Sequence, residues 1–422
     1  VSGRADDGRR RVVVTGIGVV CALGVGREDV WRAAAAGTPG GAPITHFDAS
    51  DLDVKIACQA RGFDAGEFLD HRTSRRADPA TRFAVAAARL AQDDGGLQVN
   101  GDGRRIGSVI GTGTGGSAVR EENHRVMLER GPDRVSPFTI PHSMLNMPSA
   151  MVAMQLGLRG PVFSTVTACA AGTDAIGIGT SIIRRGDADV VFAGGADAMI
   201  TPFWVAGFDA MRVLSHRNDD PGGAGRPFDA ERDGFLIGEG AGVLLLEDAE
   251  HAAARGARVI CEVAGYGASA DAHHITDPDP TGASQARAMR MAILDAGIDP
   301  AEVDYINAHG GASRPGDPSE VRAIRAVLGD DVAARTPVSG TKSMHGHCMG
   351  ATGAIEAALT AMALVEGVLP PTINLAEADP ECAGVDLVAE PGRHAPLRVG
   401  LSTNNGLGGH NAAVVLRRGE DA

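Results

Sequence analysis

The chain is short of aromatic residues, of lysine and of any clustered cysteine, and each shortage narrows what it can be. Aromatics make up 4% of the 422 residues while hydrophobic residues make up 44%, the composition of an α/β protein with a large core in one big or two medium domains. Positive charge is scarce: the net charge of -14 argues against general nucleic-acid binding, which needs a basic face. It leaves room for an acidic partner that docks on a local basic patch. Only Lys55 and Lys342 are lysines among 39 basic residues, an arginine bias that reflects a GC-rich coding sequence and makes a lysine in a motif stand out. The six cysteines are scattered with no CxxC pair, so neither a disulfide framework nor a zinc site is indicated, and a reducing, cytoplasmic location is expected. No apolar run reaches about 18 residues, so no membrane-spanning helix is expected. Val1 to Arg11 is polar and lacks the apolar stretch of a signal peptide, so residues 1–10 are read as a disordered lead-in.

What is present alternates between strand and helix patterns. Arg11 to Gly18 reads as a buried strand ending in a glycine turn, residues 79–93 as a helix, and Ile106 to Ile110 as a strand. The run Gly111-Thr112-Gly113-Thr114-Gly115-Gly116 follows, without the lysine or the downstream acid that a nucleotide loop requires. Asp189 to Ala193 and Gly242 to Leu246 read as strands buried on both faces. From Val259 the grammar repeats. Strands are expected at Val259 to Val263, Val303 to Ile306, around Val338, at Val399 to Thr403 and at Ala412 to Leu416, with helices near 283–296, 318–328 and 351–366. The expectation is a pseudo-duplicated α/β protein with halves 11–257 and 258–422 packed as one body. Asp219 to Arg226 reads as a surface loop.

Cys169 lies where the β-branched stretch Ser164-Thr165-Val166-Thr167 gives way to small residues of helical character. A thiol at a helix N-terminus feels a partial positive charge that favours thiolate. On that window alone, a reactive thiolate and an inert buried cysteine stay equally open. Three later segments weigh in: Asn307-Ala308-His309-Gly310, Thr341-Lys342-Ser343-Met344-His345-Gly346-His347, and Asn404-Asn405-Gly406-Leu407-Gly408-Gly409. His309, Lys342 and His347 each fall after an expected strand, where open α/β sheets place ligands. One such histidine is ordinarily structural. Two, with a rare lysine and a cysteine at equivalent places, point to a site.

These segments, with Pro227-Phe228-Asp229-Ala230-Glu231-Arg232-Asp233-Gly234-Phe235 and Pro370-Pro371-Thr372-Ile373-Asn374-Leu375, resemble the β-ketoacyl-[acyl-carrier-protein] synthases, type II ketosynthases of the thiolase superfamily and of the synthase II class. The resemblance runs from Val12 to Leu416. It implies a five-layer αβαβα fold, an acyl-accepting nucleophile at Cys169, the histidine pair His309 and His347, the lysine Lys342 with its carboxylate partner Glu356, and an oxyanion hole from the N–H groups of Cys169 and Leu407. It implies no metal or redox cofactor, with substrates carried on the phosphopantetheine of an acyl carrier protein. Carrier proteins are acidic, and Arg72, Arg75, Arg76 and Arg82, with Arg212 and Arg217, fall in segments that dock them in the family; an ordinary solvated charge run is the other reading. The family is dimeric through residues near 136–200, and the Met-rich stretch Met144 to Leu156 suits such an interface or a core.

The sequence departs from the family at its pocket. The Thr-Ser-Thr expected after His-Gly is Gly311-Ala312-Ser313, which removes a threonine that helps hold the pantetheine arm and leaves Ser313 and Thr276 for it. The usual Phe-Gly-Phe-Gly-Gly gate is Asn405-Gly406-Leu407-Gly408-Gly409, without either aromatic. Thr114 and Thr139 stand where larger apolar or aromatic residues narrow and close the acyl tunnel. All four changes run toward smaller or more polar side chains. They are read as a pocket for a polyketide or polyene chain, with a housekeeping fatty-acid synthase II as the alternative. A thiolase is disfavoured because it uses a second cysteine. A non-catalytic chain-length factor is disfavoured by Cys169 itself, although a heterodimer with such a homologue is as open as a homodimer.

Overall fold

The computed structural model describes residues 8–99 and 101–419. The sheet strands, in chain order, are β1 (Val12–Cys21), β2 (Ile106–Gly111), β3 (Val162–Phe163), β4 (Val190–Ala198), β5 (Glu239–Asp248), β6 (Cys261–Ala270), β7 (Tyr305–Asn307), β8 (Pro337–Ser339), β9 (Asp386–Leu387), β10 (Val399–Gly406) and β11 (His410–Arg418). They form one hydrogen-bonded path, β9-β8-β7-β10-β11-β6-β1-β5-β4-β2-β3. Each half repeats a pattern, parallel at its outer end and antiparallel toward the middle. The halves join where Val13 and Val14 pair with Glu262 and Cys261.

Two helices lie between the halves: α3 (Ala171–Arg184) and α6 (Thr352–Glu366). Outside them, α1 (Pro79–Asp94) and α2 (Met147–Leu156) cover the first half, while α4 (Ala283–Asp295) and α5 (Gly316–Leu328) cover the second. This is the five-layer αβαβα thiolase-type architecture. Every residue of α6 from Thr352 to Leu364 is buried, which fits a stretch in which Glu356 is the one charged residue among mostly apolar side chains. Within the described residues it forms the one segment long and apolar enough to cross a membrane, Met349–Glu366, and 89% of that segment is buried inside the protein. The two central helices cross on glycines. A Cβ on Gly353 would sit 2.1 Å from Thr173 Oγ1, and one on Gly172 would sit 2.8 Å from the backbone nitrogen of Ala354. Small residues at that crossing bring the N-terminal ends of α3 and α6 together, and with them the segments that carry Cys169 and His347.

Several sequence expectations need correcting. The first strand does not end at its glycines: β1 continues to Cys21 through a bulge between Val14 and Gly16. The glycines there admit α1, since a Cβ on Gly16 would lie 2.1 Å from the carbonyl oxygen of Ala91. The expected lead-in 1–10 falls partly outside the described residues, and its end is not loose. Arg9 pairs with Asp295 at 2.6 Å, and Arg10 with Asp189 and Asp248 at 3.1 Å. Asp219 to Arg226 is not simply a surface loop, because it holds a 3-10 turn at Pro221–Gly223 and buries Gly223, Ala224 and Gly225. The β-branched stretch Ser164 to Thr167 before Cys169 is not a strand; the strand ends just ahead of it, at Val162–Phe163.

Candidate active site

Cys169 sits in a 3-10 turn, Ala168–Ala170, that feeds directly into α3. Ala168 holds φ 50, a left-handed conformation that costs an L residue about 1–2 kcal/mol. That tight turn lifts the thiol to the end of the helix. Gly406 packs against it, where a Cβ would lie 2.9 Å from the carbonyl oxygen of Thr167 and 3.0 Å from the nitrogen of Cys169. The loop carrying Asn405 and Leu407 therefore rests on the Cys169 turn, and the backbone N–H groups of Leu407 and Cys169 both bear on the Cys169 sulfur.

His347 Nε2 lies 3.0 Å from Cys169 Sγ, and its Nδ1 lies 2.9 Å from Thr352 Oγ1 at the start of α6. The His309 ring stands edge-on to that of His347, with centroids 5.4 Å apart at 86°. The Asn405 N–H donates to His309 Nδ1 at 3.3 Å, so the proton of neutral His309 resides on Nε2. Phe235 meets His347 edge-on at 5.0 Å. Lys342 Nζ donates to the His309 carbonyl and, at 2.8 Å, to Glu356 Oε1. Asn404 donates to Glu356 Oε2 at 2.6 Å and accepts from Thr173 at 2.6 Å, tying both central helices to the lysine.

The electrostatics differ from the thiolate expected of a helix N-terminus. Burial pushes the Cys169 thiol up to about 11, against the opposing pull of Lys342 and the two N–H groups. Burial first, then Lys342, holds His309 and His347 well below the ordinary imidazole value, so both rings are neutral. Burial raises Glu356 to about 7 despite Lys342 beside it. The resting pair is therefore a thiol facing a neutral imidazole.

Cys169, His309 and His347 open onto one cavity of about 420 Å³. Asn405, Leu407, Thr276, Ser313 and Arg212 also line it. Thr114 and Thr139 are not part of its lining. The Thr114 hydroxyl turns to Asp197 and Ser117, and Thr139 begins a short helix, Thr139–Ser143, between the exposed Phe138 and Ile140. Arg72, Arg75 and Arg76 lie on the short helix His71–Arg76, with the Arg76 guanidinium 4.1 Å over the Phe138 ring. Arg82 is turned inward, its Nε donating to the Ala77 carbonyl, and the Arg217 charge is met by Glu231 and Asp233, 3.5 and 3.8 Å away.

Sequence reasoning missed three groups that hold these parts in place. Buried Glu320 on α5 accepts from the N–H of His309 at 2.6 Å, that of Gly310 at 2.8 Å and the Thr403 hydroxyl at 2.8 Å. Buried Asp197 accepts from the N–H groups of Gly113 and Gly350, each at 2.7 Å, and from the Thr112 hydroxyl. The glycine-rich run at 111–116 thus wraps a protein carboxylate. Arg232 is fully buried and donates to the carbonyls of Ser313 and Arg314 and to Asp379, which fixes the loop after His309. Its place in the Pro227-to-Phe235 motif was the available signal. Glu320 and Asp197 stand in no motif, and only the fold brings them in.

Known proteins resemble this arrangement along nearly the whole chain. Residues 9–252 match the model of the beta-ketoacyl synthase N-terminal domain, and residues 260–376 that of the C-terminal domain. A 3-oxoacyl-[acyl-carrier-protein] synthase 2 from Synechocystis is 45% identical over 97% of this chain and 98% of its own length. Among solved structures, the ishigamide ketosynthase/chain length factor superposes with a TM-score of 0.92 at 37% identity, covering 97% of this chain and 100% of that one. A type II PKS ketosynthase solved with its acyl-carrier protein superposes at 0.89 with 33% identity, covering 97% and 100%. With both domain models matched and full-length relatives at this identity, the chain belongs to the β-ketoacyl synthase family of acyltransferases.

Proposed function

We propose that the protein elongates acyl chains by decarboxylative condensation on an acyl carrier protein, with Cys169 as the acylated nucleophile. The observation that carries this reading is the convergence on one sulfur of His347 Nε2 at 3.0 Å and two backbone N–H groups, beside His309 and Lys342. In the first half-reaction Sγ attacks the carrier thioester carbonyl. The thiol proton passes to His347 and then to the departing pantetheine sulfur, while the oxyanion meets the N–H groups of Cys169 and Leu407. Losing one such donor costs about 10²–10³ in rate. In the second, a malonyl thioester loses CO2 and the electron pair passes into its carbonyl. His309 Nε2–H and the His347 ring donate to that enolate oxygen, with the Lys342 charge behind them. The carbanion attacks the acyl-Cys169 carbonyl and the Cys169 sulfur leaves. The Thr352 hydroxyl can donate or accept, so it supports His347 as acceptor in the first step and donor in the second.

For the chain carried, the full-length relatives named 3-oxoacyl-[acyl-carrier-protein] synthase 2 favour fatty-acid elongation. A specialised polyketide or polyene chain is the second reading, favoured by the polar, non-aromatic gate: Asn405 and Leu407 both face the cavity. An acyl carrier protein is the partner this chemistry needs, and the exposed Arg72, Arg75 and Arg212, with the half-buried Arg76, are its proposed dock. A second copy or a homologous chain is the proposed occupant of the far sheet edge. There β3 has an open side beside Phe163 and, on the helix α2 packed against it, Met154, which are 55% and 62% exposed.

The test is Cys169→Ala. Intact-protein mass spectrometry with a panel of acyl carrier thioesters should show acylation of the wild type and none of the variant, while malonyl decarboxylation persists in part. A covalent acyl adduct on the variant would refute the assignment.

A further inference from the structure

The turn that carries Cys169 is strained, and a buried carboxylate that the proposed chemistry does not use is tied to it. Thr167 enters the turn at φ -121 and ψ 43, Ala168 follows at φ 50, and the Ala170 N–H closes the turn on the Thr167 carbonyl at 3.1 Å. A left-handed alanine persists only where its surroundings over-determine it. Gly406, which lines the Cys169 cavity, packs against one side of the turn. Open space adjoins another side, where Thr165, Thr167, Asp174 and Tyr266 line a second cavity of about 310 Å³. There the turn is held by hydrogen bonds. The Thr167 hydroxyl donates to Asp174 Oδ2, and the Tyr266 hydroxyl donates to Oδ1 at 2.6 Å. Asp174 stands in the first turn of α3 and is buried. Tyr266 is pinned on β6 by the same helix, since a Cβ on Gly177 would lie 2.4 Å from its ring.

A buried carboxylate destabilises the fold unless donors meet it. One of the two donors here belongs to the residue two positions before the nucleophile. Holding Thr167 at one end of the turn and Ala170 at the other fixes the peptide between Ala168 and Cys169. The N–H of that peptide is one of the two that bear on the Cys169 sulfur. An oxyanion donor acts by being aimed before the charge develops, so a small misplacement is felt in the rate. We propose that Asp174 is a positioning residue, which acts through the Thr167 hydroxyl to aim the Cys169 N–H at the oxyanion of acyl transfer. Resting on the acyl transfer to Cys169 proposed above, this assigns the geometry of the turn to a group that does not line the Cys169 cavity.

Two reactions of the same sulfur separate positioning from stability. Acylation by decanoyl-pantetheine passes through an oxyanion. Alkylation by iodoacetamide, in which the sulfur displaces iodide, does not. The full-length wild type is compared with Thr167→Val, Thr167→Ser, Asp174→Ala and the double variant Thr167→Val with Asp174→Ala, using intact-protein mass spectrometry and thermal unfolding in parallel. Thr167→Val keeps the side-chain shape and removes the hydroxyl. It should lower the maximal acylation rate about tenfold or more, while half-saturation and the alkylation rate change by no more than about threefold. Thr167→Ser keeps the hydroxyl and should restore acylation. Asp174→Ala should show the same selective loss, and the double variant no further loss, because both substitutions break one hydrogen bond. Should Asp174→Ala fail to fold, Thr167→Val and Thr167→Ser still read that bond. Unchanged acylation in Thr167→Val, a rise in half-saturation alone, or acylation and alkylation lost in step would overturn the inference. A wild type that iodoacetamide alkylates and no thioester acylates would instead overturn the acyl-transfer reading beneath it.

Discussion

The Lys342–Glu356 pair links the fold to the proposed chemistry, and one pair of variants separates its two roles. Both side chains are buried, at 2% and 0% exposure, with Nζ and Oε1 2.8 Å apart. Replacing Lys342 by methionine keeps the stem volume but leaves Glu356 without its cation and the His309 carbonyl without its donor. Breaking a buried pair in this way costs about 3–5 kcal/mol. At an unfolding entropy of about 2.1 cal/mol/K per residue, a chain of 422 residues changes by about 0.9 kcal/mol per kelvin, so Tm should fall by about 3–6 °C.

The loss should depend on pH, with a sign set by Glu356. Its folded pKa, about 7, already stands above the unfolded value, and removing Lys342 pushes it further up. The unfolded chain therefore releases this proton first as pH rises, and stability present at low pH is lost as pH climbs through the folded value. Lys342→Met should thus lie closer to wild type near pH 5 than near pH 8. Adding Glu356→Gln removes the stranded charge and keeps a partner for Asn404, so the double variant should recover most of the lost Tm. It should not recover malonyl decarboxylation, because the positive field behind His309 is still absent. Differential scanning calorimetry and release of labelled CO2 provide the two readouts. Decarboxylation restored in the double variant would reduce Lys342 to a structural partner. A Tm that stays low in the double variant, or a single-variant loss independent of pH, would refute the electrostatic account.

Three further outcomes are expected. Asn405→Phe with Leu407→Phe should shorten the products seen by mass spectrometry if the open gate admits long or polar chains, and unchanged product length would remove that idea. Glu320→Ala strands the N–H groups of His309 and Gly310 and the Thr403 hydroxyl, each costing about 1–3 kcal/mol; it should lower Tm and slow decarboxylation more than Cys169 alkylation, and an equal effect on both would show that Glu320 does not act through His309. Reversing charge at Arg72, Arg75 and Arg76 should raise KM for a carrier-bound acyl chain but not for the same chain on pantetheine alone, with the difference shrinking at high salt. A change in kcat on both substrates would count against docking.

What the sequence made legible were features that repeat or sit in a contiguous motif. The alternation of strands and helices in both halves was readable because each buried strand is a continuous apolar run and each covering helix has an apolar stripe. His309, Lys342 and His347 were readable because each follows a strand end within a short motif. What could not be read depends on approach through space. Gly16 and Gly18 looked like a turn, yet they sit inside β1, because a glycine that ends a strand and one that admits a helix give the same letter; the distance to Ala87 and Ala91 on α1 decides between them. The glycine-rich run at 111–116 lacks the lysine and the acid of a nucleotide loop, and its letters do not say what its N–H groups hold. The N–H groups of Gly113 and Thr114 are taken by Asp197, a residue 84 and 83 positions away whose burial no local pattern announces. The thiol misled in the same way. A helix N-terminus favours thiolate, but the turn that places Cys169 there also buries it against His347, and desolvation outweighs the dipole. Cys169 therefore rests as a thiol with a neutral imidazole 3.0 Å away, a pairing set by the crossing of α3 and α6 rather than by the segment in which the cysteine is written.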